Sequence, residues 1–159
     1  MTAEQYIQKL QKLSEKKMEG LRNILKLTQE QSSVITEDSI EELQKIIDLK
    51  QNEMDKIDEL DQAFEVYYSR LKSMMGVQSL EEIRMSELTG ATELKQTITT
   101  IYELTKSIQM LENSNNNKVR EVLHKLGSEI KQIKQGQVIN NGYNIGGKLP
   151  PQSYFDTKK

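Results

Sequence analysis

The sequence predicts an all-α protein, an elongated antiparallel bundle of three long helices with a short connector helix and a flexible C-terminal tail. Apolar residues recur at steps of three and four through about three quarters of the chain, which is the period of an amphipathic helix. Hydrophobic residues make up 35% of the sequence and charged residues 29%, with no Trp and two Phe. This composition favours slender helices with one buried stripe each over a globule with a thick core.

The first predicted helix runs from Thr2 to about Ser33. Gly20 weakens this helix without ending it, because glycine costs helix stability but does not block the hydrogen bonds. The helical period stops in residues 32–36, where the helix should end. The apolar residues that carry the period are Tyr6, Leu10, Leu13, Leu21, Ile24 and Leu25.

The second predicted helix starts at a capping-box pattern formed by Ser39 and Glu42 and runs to about Met75. Two charged residues, Lys50 and Asp61, interrupt its apolar stripe. We interpret them as side chains that snorkel to water or lie on an open turn, with a functional pair as the alternative. The full stripe is Ile40, Leu43, Ile47, Lys50, Met54, Ile57, Asp61, Phe64, Tyr68, Leu71 and Met75.

A short connector helix is predicted between Gly76 and Gly90. Ser79 and Glu82 repeat the capping-box pattern at its start. An amphipathic segment follows them, with apolar residues at Leu80, Ile83, Met85 and Leu88.

The third long helix should start near Thr92 and extend to Gly136. Its first half carries Leu94, Ile98, Ile101, Thr105, Ile108 and Leu111. An asparagine-rich knot follows at residues 113–117, where a bend or a break is predicted because asparagine favours turns; the pattern does not decide between them. The apolar residues after the knot, which we call the terminal stripe, are Val119, Val122, Leu123, Leu126, Ile130 and Ile133.

Residues 137–159 show no helical period and contain both prolines, Pro150 and Pro151. Such a segment favours an extended, mostly disordered tail. The predicted organisation is therefore one helical domain over residues 1–136 and a tail over residues 137–159.

The charge balance and the cysteine count exclude several classes of function. The chain has 22 Lys and Arg against 24 Asp and Glu, a net charge of -2, so it lacks the concentrated basic face of a nucleic-acid-binding protein. It has no cysteine, which removes disulfides and thiolate metal sites. No apolar run approaches the roughly 18 residues of a membrane span. We expect a cytoplasmic protein without direct membrane insertion.

The catalytic and cofactor motifs in the sequence lack their required context. Residues 142–148 match the spacing of a phosphate-binding loop, but Leu149 replaces the magnesium-binding hydroxyl and two prolines follow. Glu121 and His124 have the spacing of a di-iron ligand pair, but His124 is the one histidine of the chain and such a site needs two. We predict no catalytic residue, no metal site, no cofactor and no enzymatic activity.

Several motifs together resemble one known family. They are the acidic heptad start at residues 37–43, the Asn113 and Asn116 step before Val119, and Tyr143 followed by Gly147. The order of the helices and the closing residues 154–156 add to this pattern. In these features the chain resembles the FlgN-like export chaperones of the bacterial flagellum, which escort the hook-filament junction proteins. That family typically has a lysine in its second helix, and Lys50 is the natural match.

The resemblance implies an ATP-independent cytosolic chaperone of flagellar type III export. Such a chaperone binds the terminal helical segments of the junction proteins, prevents premature assembly and delivers them to the membrane export gate. The terminal stripe is our candidate for the surface that binds this client, because an amphipathic helix that releases its intramolecular partner can pair with a client helix. The alternative is that the stripe is ordinary core of the bundle. The resemblance assigns docking at the export gate to Tyr143 and Gly147. We expect a monomer or a small homo-oligomer.

Two other classes of function remain open at this point. A structural coiled-coil protein without a client would use its stripes for self-association, and an accessory subunit of an enzyme would use the bundle as a dock. Sedimentation separates the chaperone from the coiled-coil protein, because a chaperone has a modest oligomeric state and a free binding face.

Overall fold

The computed structural model describes residues 1–82 and 88–136 of the chain. Within these ranges it contains three long helices and no strand: α1 (Ala3–Ser33), α2 (Ile40–Met75) and α3 (Ala91–Gly136). The all-α class is confirmed, and each helix ends within a residue or so of the predicted position. At the start of the predicted connector helix the structure has one 3-10 turn, Leu80–Glu82. Residues 83–87 and the predicted tail, residues 137–159, lie outside the described residues.

The ends of the helices follow from local sequence. Thr2 and Gln5 form a capping box. The backbone N–H of Gln5 donates to the Thr2 hydroxyl, and the backbone N–H of Thr2 donates to the side-chain oxygen of Gln5. The carbonyl of Ser39 accepts the first bond of α2, from the amide of Leu43 at 2.9 Å. At the other end of α2, Gly76 has a φ of 68°, a left-handed conformation that favours glycine and closes the helix.

The residues divide into two compact units, which we describe separately. The first consists of Met1–Leu25 and Asn52–Ser107. Its core is an apolar cluster with a rim of half-buried aromatic side chains, where the rings of Tyr6 and Tyr67 lie 6.2 Å apart. The buried members of the cluster are Ile7, Leu10, Leu71, Leu88, Ala91 and Leu94.

Helices α1 and α2 are also in contact within the first unit at Gly20 and at Asp61. Gly20 is buried, and a Cβ atom built on it would lie 3.2 Å from Cγ1 of Ile57. Asp61, one of the charged residues of the α2 stripe, is half-exposed and accepts a bond from Lys17 at 2.7 Å. Its carboxylate is therefore paired as well as open to water.

The second unit consists of Lys26–Gln51 and Ile108–Lys159. Its described buried apolar residues are Ile35, Ile46, Ile47 and Ile108. Five polar side chains are also buried in this unit, so its interior is at least as polar as it is apolar. We call these five the polar cluster: Thr28, Gln31, Lys50, Glu112 and Asn115.

Candidate functional site

Lys50 lies at the centre of the polar cluster and has no exposed surface. Its ammonium group contacts the carboxylate of Glu112 on α3 and donates a hydrogen bond of 2.9 Å to the side-chain oxygen of Gln31 on α1. The interpretation of Lys50 as a snorkelling side chain is therefore wrong. The four-carbon stem ends against a carboxylate and an amide supplied by the neighbouring helices, so the charge is compensated inside the unit rather than by water.

Burial lowers the pKa of Lys50 from 10.5 to about 7, because the ammonium form loses its hydration inside the unit. The carboxylate of Glu112 favours the charged form and therefore opposes this shift. The ion pair combines a large desolvation cost with a strong local attraction. Such a pair is sensitive to any movement that separates its two members.

Asn115, in the middle of the asparagine-rich knot, is 1% exposed and bonds to α1. Its amide donates to the carbonyl of Thr28 at 3.1 Å, and its side-chain oxygen accepts a bond from the hydroxyl of Ser32 at 2.5 Å. Helix α3 continues through the knot without a break. Of the bend and the break that the sequence left open, the break does not occur, because the contacts of Asn115 with a neighbouring helix outweigh the poor helix propensity of asparagine.

Gln31, Glu112 and Asn115 were not predicted as interior residues. Two of them, Glu112 and Asn115, could have been found from their positions in the period of the α3 stripe. Ile108, Glu112, Asn115 and Val119 follow one another at steps of four, three and four, so the polar pair continues the buried stripe of α3.

The residues of the terminal stripe lie together on the last turns of α3, and none of them is buried. Ile133 is 48% exposed, and the other five are half-buried. Earlier on the same helix, Leu94 and Ile108 are fully buried. The apolar period of α3 therefore continues past the point where the core of the second unit ends.

Helix α1 ends alongside the start of this exposed segment. Ser32 lies one residue from the end of α1, and its hydroxyl donates to the side chain of Asn115. The backbone carbonyl of Ser32 accepts a bond from the ammonium of Lys118 at 3.4 Å. Helix α3 continues from there to Gly136, roughly 30 Å farther at 1.5 Å per residue. No residue of α1 lies alongside α3 over this length. The terminal stripe therefore lacks α1 as a packing partner.

The structure also has a pocket of about 580 Å³ in the first unit, away from the terminal stripe in sequence. Six hydrophobic side chains line it. Lys17 and Asp61, which form an ion pair with each other, also line it. No predicted binding residue lines it. The six are Leu13, Leu60, Phe64, Tyr68, Ile98 and Ile101.

Neither the predicted docking residues nor the di-iron-like pair forms a site among the described residues. Tyr143 and Gly147, the predicted export-gate docking residues, lie outside the described residues. Glu121 and His124 are both exposed on α3. Across residues 1–82 and 88–136, no group of three metal-ligating side chains comes together. In the same ranges, no helix combines the length and the apolar character that crossing a bilayer requires.

Comparison with known proteins gives one match. The family model described as FlgN protein matches residues 1–151 of the chain. The match therefore covers all three helices, the terminal stripe and the Tyr143 to Gly147 segment. No curated protein and no solved structure matches.

Proposed function

Because the chain belongs to the FlgN family of flagellar export chaperones, we propose that it binds the terminal helical segments of hook-filament junction proteins in the cytoplasm. It prevents their premature assembly and delivers them to the export gate of the flagellar type III system. In this proposal the terminal stripe is the client-binding surface.

The observation that carries the proposal is the unburied terminal stripe on a helix whose earlier apolar residues are buried. Isolated apolar residues on a surface are ordinary, but six on one helical face are not scattered. A helix with one apolar face binds a groove or another helix, and the ends of junction proteins carry helical heptads of this kind. The stripe therefore suits a client helix.

We propose that residues 1–136 act as one chaperone domain built as an antiparallel bundle. Inside the first unit, Tyr6 contacts Tyr67 and Lys17 contacts Asp61, so residue numbers fall along α2 as they rise along α1. This order supports an antiparallel pair.

Docking at the export gate is proposed for Tyr143 and Gly147 in the segment 137–159. A tyrosine ring supplies a large contact area and a polar end, and a nearby glycine lets a partner backbone approach closely. Replacement of Tyr143 by Ala should weaken binding to the gate domain and reduce secretion while client binding is unchanged. Equal gate affinity for the wild type and this variant would remove Tyr143 from the mechanism.

The test of the client-binding surface introduces three charges into the terminal stripe and titrates the full-length protein with the terminal segments of a junction protein. A charge buried in a helix interface costs several kcal/mol, so affinity should fall more than about 100-fold. The three substitutions, combined in one protein, are Val122→Asp, Leu126→Asp and Ile130→Asp.

A matched control places the same three charges, at the same spacing, on the exposed opposite side of α3. Its substitutions are His124→Asp, Ser128→Asp and Gln132→Asp. This control should bind the client like the wild type, and both variants should keep the helicity of residues before Asn113. Unchanged affinity in the stripe variant would move the binding surface elsewhere. Sedimentation tests the rival: strong self-association that only the stripe variant abolishes would favour a structural coiled-coil protein.

A further inference from the structure

We propose that the helix bound by the terminal stripe has acidic residues along one flank of its apolar seam, and that Arg120 and Lys134 select it. This inference rests on the proposed function and specifies the charge that the client helix carries. It follows from the positions and charges of the exposed end of α3.

Five residues of the terminal stripe have the spacing of a coiled-coil seam. Val119, Leu123, Leu126, Ile130 and Ile133 follow one another at steps of four, three, four and three. That spacing matches the a and d positions of a heptad, whose side chains fit between those of a facing helix. All five are aliphatic, as helix seams are, and the stripe lacks the Trp, Tyr and Phe typical of helices that lie in a membrane interface.

One flank of this seam is basic. Arg120 and Lys134 directly follow the first and the last of the five seam residues and are both exposed. Arg120, Gly127 and Lys134 follow one another at steps of seven, so Arg120 and Lys134 occupy the same heptad position two heptads apart. Charges at positions beside a seam choose the partner and its orientation, because they lie within reach of the flank of the facing helix.

The charge of the whole segment argues against a second copy of this chain as the partner. Residues 118–134 carry five basic and two acidic residues, a net charge of +3, although the chain as a whole has a net charge of -2. Two such segments side by side would repel each other, whereas an acidic helix would be attracted. The basic residues are Lys118, Arg120, Lys125, Lys131 and Lys134, and the acidic ones are Glu121 and Glu129.

The experiment uses the full-length protein and two synthetic peptides of about three heptads that share the same Leu and Ile seam. One peptide has Glu at the positions flanking its seam and the other has Lys there. Fluorescence anisotropy should show that the Glu peptide binds at least about tenfold more tightly at low salt, a difference that shrinks as added salt screens the charges. The Arg120→Glu and Lys134→Glu double variant should reverse the preference.

The matched control changes the same amount of charge on the outer face of α3, through Lys125→Glu and Lys131→Glu. It should keep most of the preference for the Glu peptide. Equal binding of the two peptides by the wild type, or an equal loss of preference in both double variants, overturns the inference. So does tighter binding to phosphatidylglycerol vesicles that is lost in the Arg120→Glu and Lys134→Glu double variant, since the basic flank would then serve a membrane surface.

A third titration, with the terminal segments of a junction protein, separates this inference from the proposed function. If those segments bind and the two peptides are not distinguished, the inference about the flank fails and the proposed function stands. If the Glu peptide binds selectively and the junction segments do not bind, the flank inference stands and the proposed client is wrong. Absence of all binding overturns both.

Discussion

The ammonium of Lys50 and the carboxylate of Glu112 form an ion pair from which water is almost wholly excluded. Because the pair joins α2 to α3, displacement of either helix by one turn would leave two unpaired charges inside the second unit. Buried pairs of this kind add little net stability compared with apolar packing, but they penalise wrong arrangements heavily. We infer that the polar cluster fixes the register of the helices that lead into the terminal stripe.

Replacement of Lys50 by Met should destabilise the protein by about 3 kcal/mol, because the carboxylate of Glu112 would remain buried without its partner. Urea unfolding followed by circular dichroism measures the change. The variant with Lys50→Met, Gln31→Leu and Glu112→Leu together is the control. It removes all three polar groups, so it should be close to the wild type in stability or above it, while the register of the helices becomes less well defined. A triple variant less stable than Lys50→Met alone would contradict this account.

The buried position of Lys50 also predicts how stability depends on pH. Its pKa is about 7 in the folded protein and 10.5 in the unfolded chain, so between these values the unfolded chain binds the additional proton. The free energy of unfolding should therefore rise with pH across this window, by at most about 1.4 kcal/mol per pH unit. Below pH 7 Lys50 is protonated in both states and contributes no slope. The Lys50→Met variant should lack this rise, and identical pH profiles for the two proteins would show that Lys50 keeps its proton when folded.

The sequence predicted the helices well and the polar cluster poorly, for different physical reasons. Helix ends depend on local features, such as the loss of period after Ser33 and the glycine at position 76, which are visible in one short stretch. The burial of Lys50 and Asn115 depends on partners that lie far away in the sequence, namely Glu112 and Thr28. The period of a stripe can place a polar residue in line with buried ones, but it does not identify the distant group that compensates it.

The terminal stripe was found from its period, but its exposure could not be predicted from that period. A stripe has the same spacing whether another helix of the chain covers it or a separate protein does. The structure adds the missing observation, which is that α1 ends beside Asn115 while α3 continues to Gly136.

Replacement of Asn115 by Ala should destabilise the protein by about 1–3 kcal/mol, because its hydrogen bonds to the Thr28 carbonyl and the Ser32 hydroxyl are lost from a buried site. Asn117→Ala is the matched control, since Asn117 is exposed in the same helix. It should gain up to roughly 0.7 kcal/mol from the better helix propensity of alanine. Urea unfolding of both variants checks the opposite signs. Equal gains would mean that the knot has no tertiary role.

Two helical glycines should respond in opposite ways to replacement by alanine. A Cβ atom at Gly127 meets no atom within 4 Å, so Gly127→Ala should gain about 1 kcal/mol of helix stability, visible as slower amide hydrogen exchange in the last turns of α3.

A Cβ atom at Gly20 would lie 3.2 and 3.3 Å from two carbons of Ile57, which is 3% exposed and has little room to move. Crowding of a packed site costs about 1–3 kcal/mol, which exceeds the gain in propensity, so Gly20→Ala should lower the free energy of unfolding in urea. If Gly20→Ala were as stabilising as Gly127→Ala, the contact between α1 and α2 at Ile57 would be looser than its distances indicate.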